Sequence, residues 1–370
     1  MSQQVSIMVL PTGSAEALPQ VLLEQAGVWR DMSPPLVTRA LGSVTLIRRG
    51  IDALLTEIMQ QMRGGALPAF AVLKATFRRQ YNMIVPPGIQ QAFQHALDDA
   101  APGEAPLLNI HIHTSTEWIP WEILHDGTDF LGLRFRIARL PITPTGPKLD
   151  SSAPRIVDRI TTLLAQNVFD APVSDQLIQS WKGTFDGFLP AAVQSVNFPS
   201  LNGAGSNYPN VDHFMNTAVD SDIVLVTCHG GLKDDQGQYY WTLNHQSPLT
   251  FTYRINATIL GDLDLANNPL VFGNACDSQA AGSSGLSPGF GSVFFAQGAL
   301  AFVGTFAPIT QKMAVEFAKR FFRSLLGAPA ISISQALWEA KQYFSEQDAP
   351  DPSYLYYSLY RPAETVFRAA

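Results

Sequence analysis

Two short segments constrain this chain most, because each carries a run of strand-forming residues up to a side chain that can react. The first, VLVTCHGG at 224–231, leads to His229 and two glycines. The second, PLVFGNACDS at 269–278, leads to Cys276. The carboxyl ends of parallel strands meet at one edge of an α/β sheet, where such sheets hold their ligands. The two segments therefore predict a cysteine nucleophile beside a histidine base.

The chemistry of a thiol explains why these residue types occur together. With an ordinary pKa of about 8.5, a cysteine is mostly protonated at neutral pH and needs a nearby histidine to take its proton or pair with its thiolate. Attack on a peptide carbonyl creates an oxyanion, which fixed N–H groups stabilise. We expect the backbone N–H groups of Gly230 and Cys276 to supply them, since glycine lets a backbone approach closely.

The rest of the chain alternates between strand and helix patterns. Alternation of this kind predicts an α/β fold with a mostly parallel sheet flanked by helices on both faces, as well as a helical N-terminal region. A proline-rich linker is expected at 141–154, and a strand pair or hairpin at 130–140. The other predicted strands are 5–10, 107–114, 160–165, 193–197, 223–227, 239–243, 249–253, 270–273 and 300–305, and the predicted helices are 47–62, 70–79, 89–97, 175–188, 211–219, 290–297 and two near the end, capped by Thr310 and Ser332.

Composition restricts the function classes. A net charge of −7 with no run of basic residues argues against a nucleic-acid-binding surface. Two cysteines are too few for a disulfide framework or a cysteine-rich zinc site, and His111 and His113 with Glu117 nearby lack a further metal ligand. We therefore expect no metal and no cofactor. The first residues lack the features of a signal peptide, and no apolar stretch is long enough to span a membrane. We therefore expect a cytoplasmic protein without membrane attachment.

Five motifs, in order, resemble those of CHAT domains, which belong to the caspase-like cysteine proteases. His229-Gly230 and 274–278 correspond to the histidine and cysteine motifs, and their 47-residue separation fits the family. The resemblance extends from about residue 70 to residue 370. The remaining motifs are IPWEILHD at 119–126 with 130–133 and 136–141, FFAQGALAFVGT at 294–305, and two helical segments at 314–326 and 333–340.

The resemblance implies a division of the chain and a set of site residues. It implies a catalytic caspase-like domain over 151–370 and an inactive caspase-like half over 70–150, and leaves 1–69 as an N-terminal region of unknown role. His229 and Cys276 would be catalytic. Asn274 and Asp277, which flank the nucleophile, would bind substrate, and the neutral Asn274 argues against a strong preference for basic residues.

The resemblance further implies an endopeptidase that needs no cofactor, cleaves a protein substrate and is activated by a sensor or regulatory partner in bacterial defence against phage. Two alternatives stay open from the residues alone. One is a catalytically silent caspase-like scaffold that works as an interaction module. The other is an acyltransferase or amidase that uses the same two side chains. Cys228 adjoins His229 but would point to the opposite face of its strand, so we interpret it as a core residue.

Overall fold

The computed structural model describes the backbone of most of the chain outside several segments. The described residues are 4–11, 19–32, 50, 51, 53, 54, 57, 58, 60, 61, 70–113, 116–142, 154–164, 195–197, 218–233, 239–244, 253–256, 264–276, 278, 290–347, 350–360 and 364–369. The predicted helix at 175–188 lies outside these residues, as do most of the predicted linker at 141–154 and most of the predicted helix at 211–219.

Strands form one large sheet and two small ones. In chain order they are β1 (Gln4–Leu10), β2 (Gln20–Gln25), β3 (Val28–Asp31), β4 (Leu107–Ile112), β5 (Arg136–Pro141), β6 (Arg155–Val157), β7 (Arg159–Leu164), β8 (Ser195–Asn197), β9 (Ile223–Thr227), β10 (His229–Lys233), β11 (Tyr239–Asn244), β12 (Tyr253–Asn256), β13 (Leu270–Asn274), β14 (Ala301–Thr305), β15 (Tyr357–Tyr360) and β16 (Phe367–Ala369).

The large sheet is mixed but mostly parallel. Its strand order is β3-β2-β1-β4-β5-β15-β14-β13-β9-β7-β8, with antiparallel pairs only in the β1–β2–β3 edge and between β14 and β15. Strands β10, β11 and β12 form a separate antiparallel sheet, and β6 pairs with β16. This arrangement confirms the predicted α/β class with a mostly parallel sheet.

Helices cover both faces of the central strands. The longer ones are α1 (Phe70–Ile84), α2 (Pro87–Asp98), α4 (Phe290–Ala296), α5 (Gln311–Leu326) and α6 (Ile333–Glu346), while α3 (Leu131–Arg134) is a single turn and 3₁₀ helices span Trp121–Ile123 and Pro352–Tyr356. Phe272 of β13 contacts Phe321 and Phe322 of α5 on one face. On the other face, Phe294 of α4 stacks on Phe302 of β14.

The central strands β13 and β14 carry no polar side chain before their last residues, Asn274 and Thr305, because both faces of each strand are covered. Every residue of β13 and β14 is buried. Burial of such strands removes large apolar areas from water, at about 25 cal/mol per Å². The core therefore lies at the middle of the sheet. It fixes the strand ends near which the two predicted catalytic residues lie.

Three differences separate the expected elements from the observed ones. The segment 130–140 is not a hairpin: its first part forms α3, and its second part forms β5, parallel to β4. Strands β2 and β3 form a hairpin in a segment for which the sequence predicts no element, and the hairpin turns at Ala26 and Gly27 with positive φ angles. Strand β15, which was not predicted, inserts between β5 and β14.

Candidate active site

Neighbouring parallel strands bring the histidine and cysteine segments to the same edge of the sheet. Strands β9 and β13 pair in register up to the pair formed by Thr227 and Asn274. His229 begins β10 two residues beyond this pair, and Cys276 lies in the turn two residues beyond it. The register therefore places the backbones of His229 and Cys276 opposite each other where the two strands end. The structure describes His229 by its backbone.

The backbone of Gly230 lies directly against the backbone of Cys276. A methyl group on Gly230 would overlap the carbonyl oxygen of Cys276 and come within 3.2 Å of its amide nitrogen. Any other residue at position 230 would push the two segments apart. The two residues predicted to supply oxyanion N–H groups are thus in backbone contact.

The thiol of Cys276 points towards the loop that precedes α5. The side chain is partly buried, and Sγ donates to the carbonyl oxygen of Ile309 at 3.7 Å. The next residue, Thr310, caps α5 by accepting a hydrogen bond from the amide of Met313 at 3.1 Å, and its hydroxyl also donates to Asp351. A carbonyl acceptor favours the protonated thiol, so this orientation differs from that of a thiolate ready to attack.

Asn274 is buried two residues before the cysteine, and its amide is engaged inside the protein. The amide nitrogen donates to the carbonyl oxygen of Ala314 at 3.0 Å, and the amide oxygen accepts from the hydroxyl of Tyr357 at 2.6 Å. Burial raises the pKa of Tyr357 well above its ordinary value, with a further contribution from Cys276, so the phenol stays a donor. Asp277, the other predicted substrate-binding residue, lies outside the described residues.

Two hydroxyl groups tie the rest of the turn to the sheet. Thr305 at the end of β14 donates from its hydroxyl to the carbonyl oxygen of Ala275 at 2.6 Å. Ser278 donates from its hydroxyl to the carbonyl oxygen of Gly273 at 2.9 Å and accepts from the amide of Thr305 at 2.7 Å. We call Asn274, Ser278, Thr305 and Tyr357 the turn-support residues. Sequence reasoning missed Thr305 and Tyr357 as parts of the site.

Cys228 is buried, with 5% of its surface exposed, which confirms its interpretation as a core residue. Burial raises the pKa of its thiol well above the ordinary value, and the nearby Cys276 raises it further. Cys228 therefore stays protonated at neutral pH, and a nucleophilic role in the resting protein is disfavoured.

The strand that starts at His229 is anchored through its hairpin partner. His229 pairs with Thr242 of β11, and the neighbouring Trp241 is fully buried. The indole of Trp241 stacks on Phe290 with ring centroids 4.3 Å apart. It also lies 3.2 Å from the place where a methyl group on Gly273 would sit. The strand carrying His229 is thus attached to the strand that leads to Cys276.

A second buried polar cluster lies away from this edge. Arg139 donates from Nε to Glu122 at 3.0 Å and forms a second bond from Nη2, so the guanidinium grips the carboxylate with two bonds. Both side chains of this ion pair are almost fully buried. Lys341 of α6 approaches the same cluster, and burial lowers its pKa to about 8. This cluster joins β5 to α6 and takes no part in the candidate site.

Among the residues that the structure describes, there is neither a candidate metal site nor a helix that could span a membrane. No group of three or more histidine, cysteine, aspartate or glutamate side chains there could hold a metal ion. His111 instead makes an edge-to-face contact with Trp29, with ring centroids 5.2 Å apart. None of the helices formed by the described residues has the length and apolar character needed to cross a membrane.

Known structures share this fold at low sequence identity. The pro- and mature domains of RgpB from Porphyromonas gingivalis match at 10% identity and a TM-score of 0.50, over 77% of this chain and 71% of that one. Separase in the Saccharomyces cerevisiae separase–securin complex matches at 15% identity and a TM-score of 0.48, over 75% of this chain. The match covers only 17% of the separase chain. The mostly parallel sheet with flanking helices is a caspase-like fold.

The sequence itself was also compared with curated proteins and with protein families. None of the curated proteins matches it significantly. The family model described as the CHAT domain matches residues 74–361, which include both strand-end segments and the turn-support residues. The chain therefore belongs to the CHAT domain family.

Proposed function

We propose that this protein is a cysteine endopeptidase in which Cys276 is the nucleophile and His229 the general base. The observation that carries the proposal is the backbone contact of Gly230 with Cys276 at the edge of the sheet. The contact brings together the two backbones whose N–H groups would stabilise the oxyanion. Membership of the CHAT family and a fold shared with cysteine proteases support the same chemistry.

The reaction would proceed through a thioester. His229 takes the thiol proton, and the sulfur of Cys276 adds to the scissile carbonyl carbon to give an oxyanion held by the N–H groups of Gly230 and Cys276. The intermediate collapses, the C–N bond breaks, and the imidazolium returns the proton to the leaving amine. His229 then takes a proton from water, which attacks the thioester and releases the thiol and the second product.

Activation would require the thiol to leave its acceptor. In the resting protein Cys276 donates to Ile309, one residue before the N-cap of α5. A partner that moves this loop would release the thiol towards His229, and an activating partner in bacterial defence fits the family resemblance. We propose that Asn274 and Asp277 border the substrate, with Asn274 also fixing the turn through Ala314 and Tyr357.

A peptide electrophile with a thiol-reactive warhead tests the nucleophile directly. We expect covalent labelling at Cys276 and none at Cys228, because the second thiol is buried and its pKa is raised. A peptide library incubated with the chain should yield new termini, identified by mass spectrometry. Cys276→Ala should lose both signals, and Cys228→Ser should keep them. Cleavage that persists in purified Cys276→Ala would rule out this mechanism.

A non-catalytic scaffold is the second candidate function. The hydrogen bond from the Cys276 thiol to the carbonyl oxygen of Ile309 favours it, because a carbonyl oxygen accepts from a thiol and not from a thiolate. In this case neither labelling nor cleavage would occur, even when the intact chain is mixed with its activating partner. Labelling of Cys276 by the electrophile would instead exclude a permanently silent site.

A further inference from the structure

A cavity of about 330 Å³ is lined by residues of α1, of the segment that leads into α3, of α6 and of the 3₁₀ helix Pro352–Tyr356. We call this cavity the α1–α6 pocket. Sites for small molecules span about 300–1,000 Å³, so the pocket has the volume for a small ligand. None of the described residues that line it belongs to the strand-end site, which makes it a separate candidate binding site.

The lining of the α1–α6 pocket indicates the chemistry of its ligand. Phe70, Phe130 and Tyr354 supply aromatic walls, against which an aromatic ring packs well. Lys74 and Asp129 line the same pocket with opposite charges. The amide of Phe130 donates to Oδ1 of Asp129 at 2.8 Å and so fixes the carboxylate. A ligand with a single charge would bring it towards a like charge, whereas a zwitterion pairs with both groups.

Hydrogen bonds join the wall of the pocket to the loop that holds the thiol. Pro350 lines the pocket, and the next residue, Asp351, accepts from the hydroxyl of Thr310. Asp351 is also the N-cap of the 3₁₀ helix that supplies an aromatic wall. Thr310 directly follows Ile309, whose carbonyl oxygen accepts from the thiol of Cys276 at 3.7 Å. A movement of the pocket wall therefore acts on the acceptor of the thiol.

Stacked rings form a second connection between the pocket and the cysteine turn. Tyr354 stacks on Phe344, and Phe344 stacks on Phe317, with ring centroids 6.0 Å apart in each pair. Phe317 stacks on Tyr357 at 3.9 Å, and Tyr357 donates to Asn274 in the turn. The hydrogen bonds and the stacked rings thus lead from the same pocket to the same turn.

We propose that the α1–α6 pocket binds an aromatic amino acid, and that binding keeps the Cys276 thiol on the carbonyl oxygen of Ile309. The pocket is present in the resting conformation, in which the thiol makes this bond. Because a ligand stabilises the conformation that it binds, the amino acid opposes the loop movement that releases the thiol. Binding needs no catalysis. Only the consequence that the amino acid inhibits peptide cleavage rests on the proposed protease function.

Isothermal titration calorimetry of the purified full chain tests the ligand class. The probe is L-phenylalanine, with 3-phenylpropionate and 2-phenylethylamine as analogues that lack the ammonium group and the carboxylate. We expect a dissociation constant of about 1 mM or lower for L-phenylalanine, and binding about tenfold weaker for each analogue. Lys74→Met and Asp129→Asn should each weaken the binding of L-phenylalanine by about tenfold. Lys319→Met, on the surface of α5, should leave it unchanged.

The analogues and the variants can each contradict this assignment. If either analogue binds as tightly as L-phenylalanine, the pocket does not select a zwitterion. If Lys74→Met binds L-phenylalanine like the wild type, the ligand lies elsewhere. Absence of binding to the wild type would overturn the proposal, even in a chain that cleaves peptides.

The rate at which iodoacetamide alkylates Cys276 tests the effect on the thiol without any substrate. Mass spectrometry of the digested chain measures this rate, and saturating L-phenylalanine should lower it on the order of fivefold or more. Thr310→Val lacks the hydroxyl that donates to Asp351 and should bind the amino acid with a smaller effect on the rate. Thr310→Ser keeps the hydroxyl and should retain the full effect.

Two results separate this proposal from the protease function. If L-phenylalanine binds but leaves the alkylation of Cys276 unchanged or faster, the connection between the pocket and the thiol is wrong. Slower alkylation in a chain that cleaves no peptide would instead contradict only the protease function.

Discussion

The hydroxyl of Tyr357 donates a hydrogen bond of 2.6 Å to the side-chain oxygen of Asn274, two residues before Cys276. Both side chains are buried, and Tyr357 also stacks on Phe317 of α5 with ring centroids 3.9 Å apart. The turn that carries the cysteine is therefore held from a strand that is not the neighbour of β13 in the sheet. Through its bond to Asn274, Tyr357 would act as a positioning residue.

Tyr357→Phe should weaken the turn while leaving the ring packing intact. The change leaves the oxygen of Asn274 without its donor in a buried place, and we expect the unfolding free energy to fall by about 1–3 kcal/mol. In cleavage of a peptide found by the library screen, kcat should fall while KM changes little. The matched control is Tyr343→Phe on α6, where the tyrosine is 40% exposed. This variant should change neither the unfolding free energy nor kcat. If kcat is the same in Tyr357→Phe as in the wild type, the positioning role of Tyr357 is wrong.

Thr305→Val tests the second connection to the turn. The valine keeps the shape of the side chain but removes the donor to the carbonyl oxygen of Ala275. We expect a loss of about 1–3 kcal/mol in stability and a drop of about tenfold or more in kcat, because the turn is free to shift. Thr305→Ser keeps the hydroxyl and should restore kcat. If serine and valine variants are equally impaired, packing of the methyl group is responsible rather than the hydrogen bond.

Gly230→Ala should abolish activity because the added methyl group overlaps the carbonyl oxygen of Cys276. The two segments must separate, which moves one N–H group away from the oxyanion position and costs on the order of 10²–10³ in kcat. Gly50→Ala serves as the control, since among the described residues its methyl group meets only the side chain of Gln80, at 3.8 Å. Both variants are measured for thermal stability and peptide cleavage. If Gly230→Ala cleaves peptide with the kcat of the wild type, Gly230 takes no part in the proposed oxyanion site.

Lys341 should give the protein an unusual dependence of stability on pH. Its pKa is lowered from 10.5 to about 8 in the folded protein, chiefly by burial; the charge of Glu122 raises the pKa, and the charge of Arg139 lowers it further. Between these two values the unfolded chain holds a proton that the folded chain lacks. The free energy of unfolding should therefore rise with pH across this window, with the full cost of charging Lys341 present below it.

Lys341→Met removes this contribution, because methionine fills a similar volume without a charge. At pH 7 the variant should be more stable than wild type by on the order of 3 kcal/mol, and the difference should shrink as the pH approaches 10.5. Denaturant unfolding at several pH values measures it. Lys319→Met, whose lysine pairs with Glu316 on the helix surface, should show no such slope. A constant difference between wild type and Lys341→Met would contradict the lowered pKa.

The parts of the fold that could be predicted are those in which local pattern and burial agree. Strands β9 and β13 carry no polar side chain before their last residues, Thr227 and Asn274, and each leads within two residues to a chemically distinctive side chain. The caps of α5 and α6 follow from Thr310 and Ser332, both of which accept a backbone amide. The sequence therefore sufficed to place His229, Gly230 and Cys276 at a common edge.

The contacts of the turn-support residues could not be predicted, because they depend on the order of the strands in the sheet. Nothing in the local pattern of Tyr357 indicates that β15 inserts antiparallel beside β14, 83 residues from Asn274. The helix α3 was missed because alternating apolar residues favour a strand. Its Gly132 instead packs tightly beneath Glu122 and Lys341, so tertiary contacts override the local preference.

The position of β15 in the chain has a consequence for synthesis. Among the described strands of the large sheet, β15 is made last, yet it fills the gap between β5 and β14. A ribosome-bound chain that has just completed β13 and β14 lacks both the closing strand and the phenol that secures Asn274. In such an unfinished chain, the turn that carries Cys276 would lack the hydrogen bond that Tyr357 donates to Asn274. Copies whose translation stops before β15 would therefore lack a support that the proposed protease activity requires.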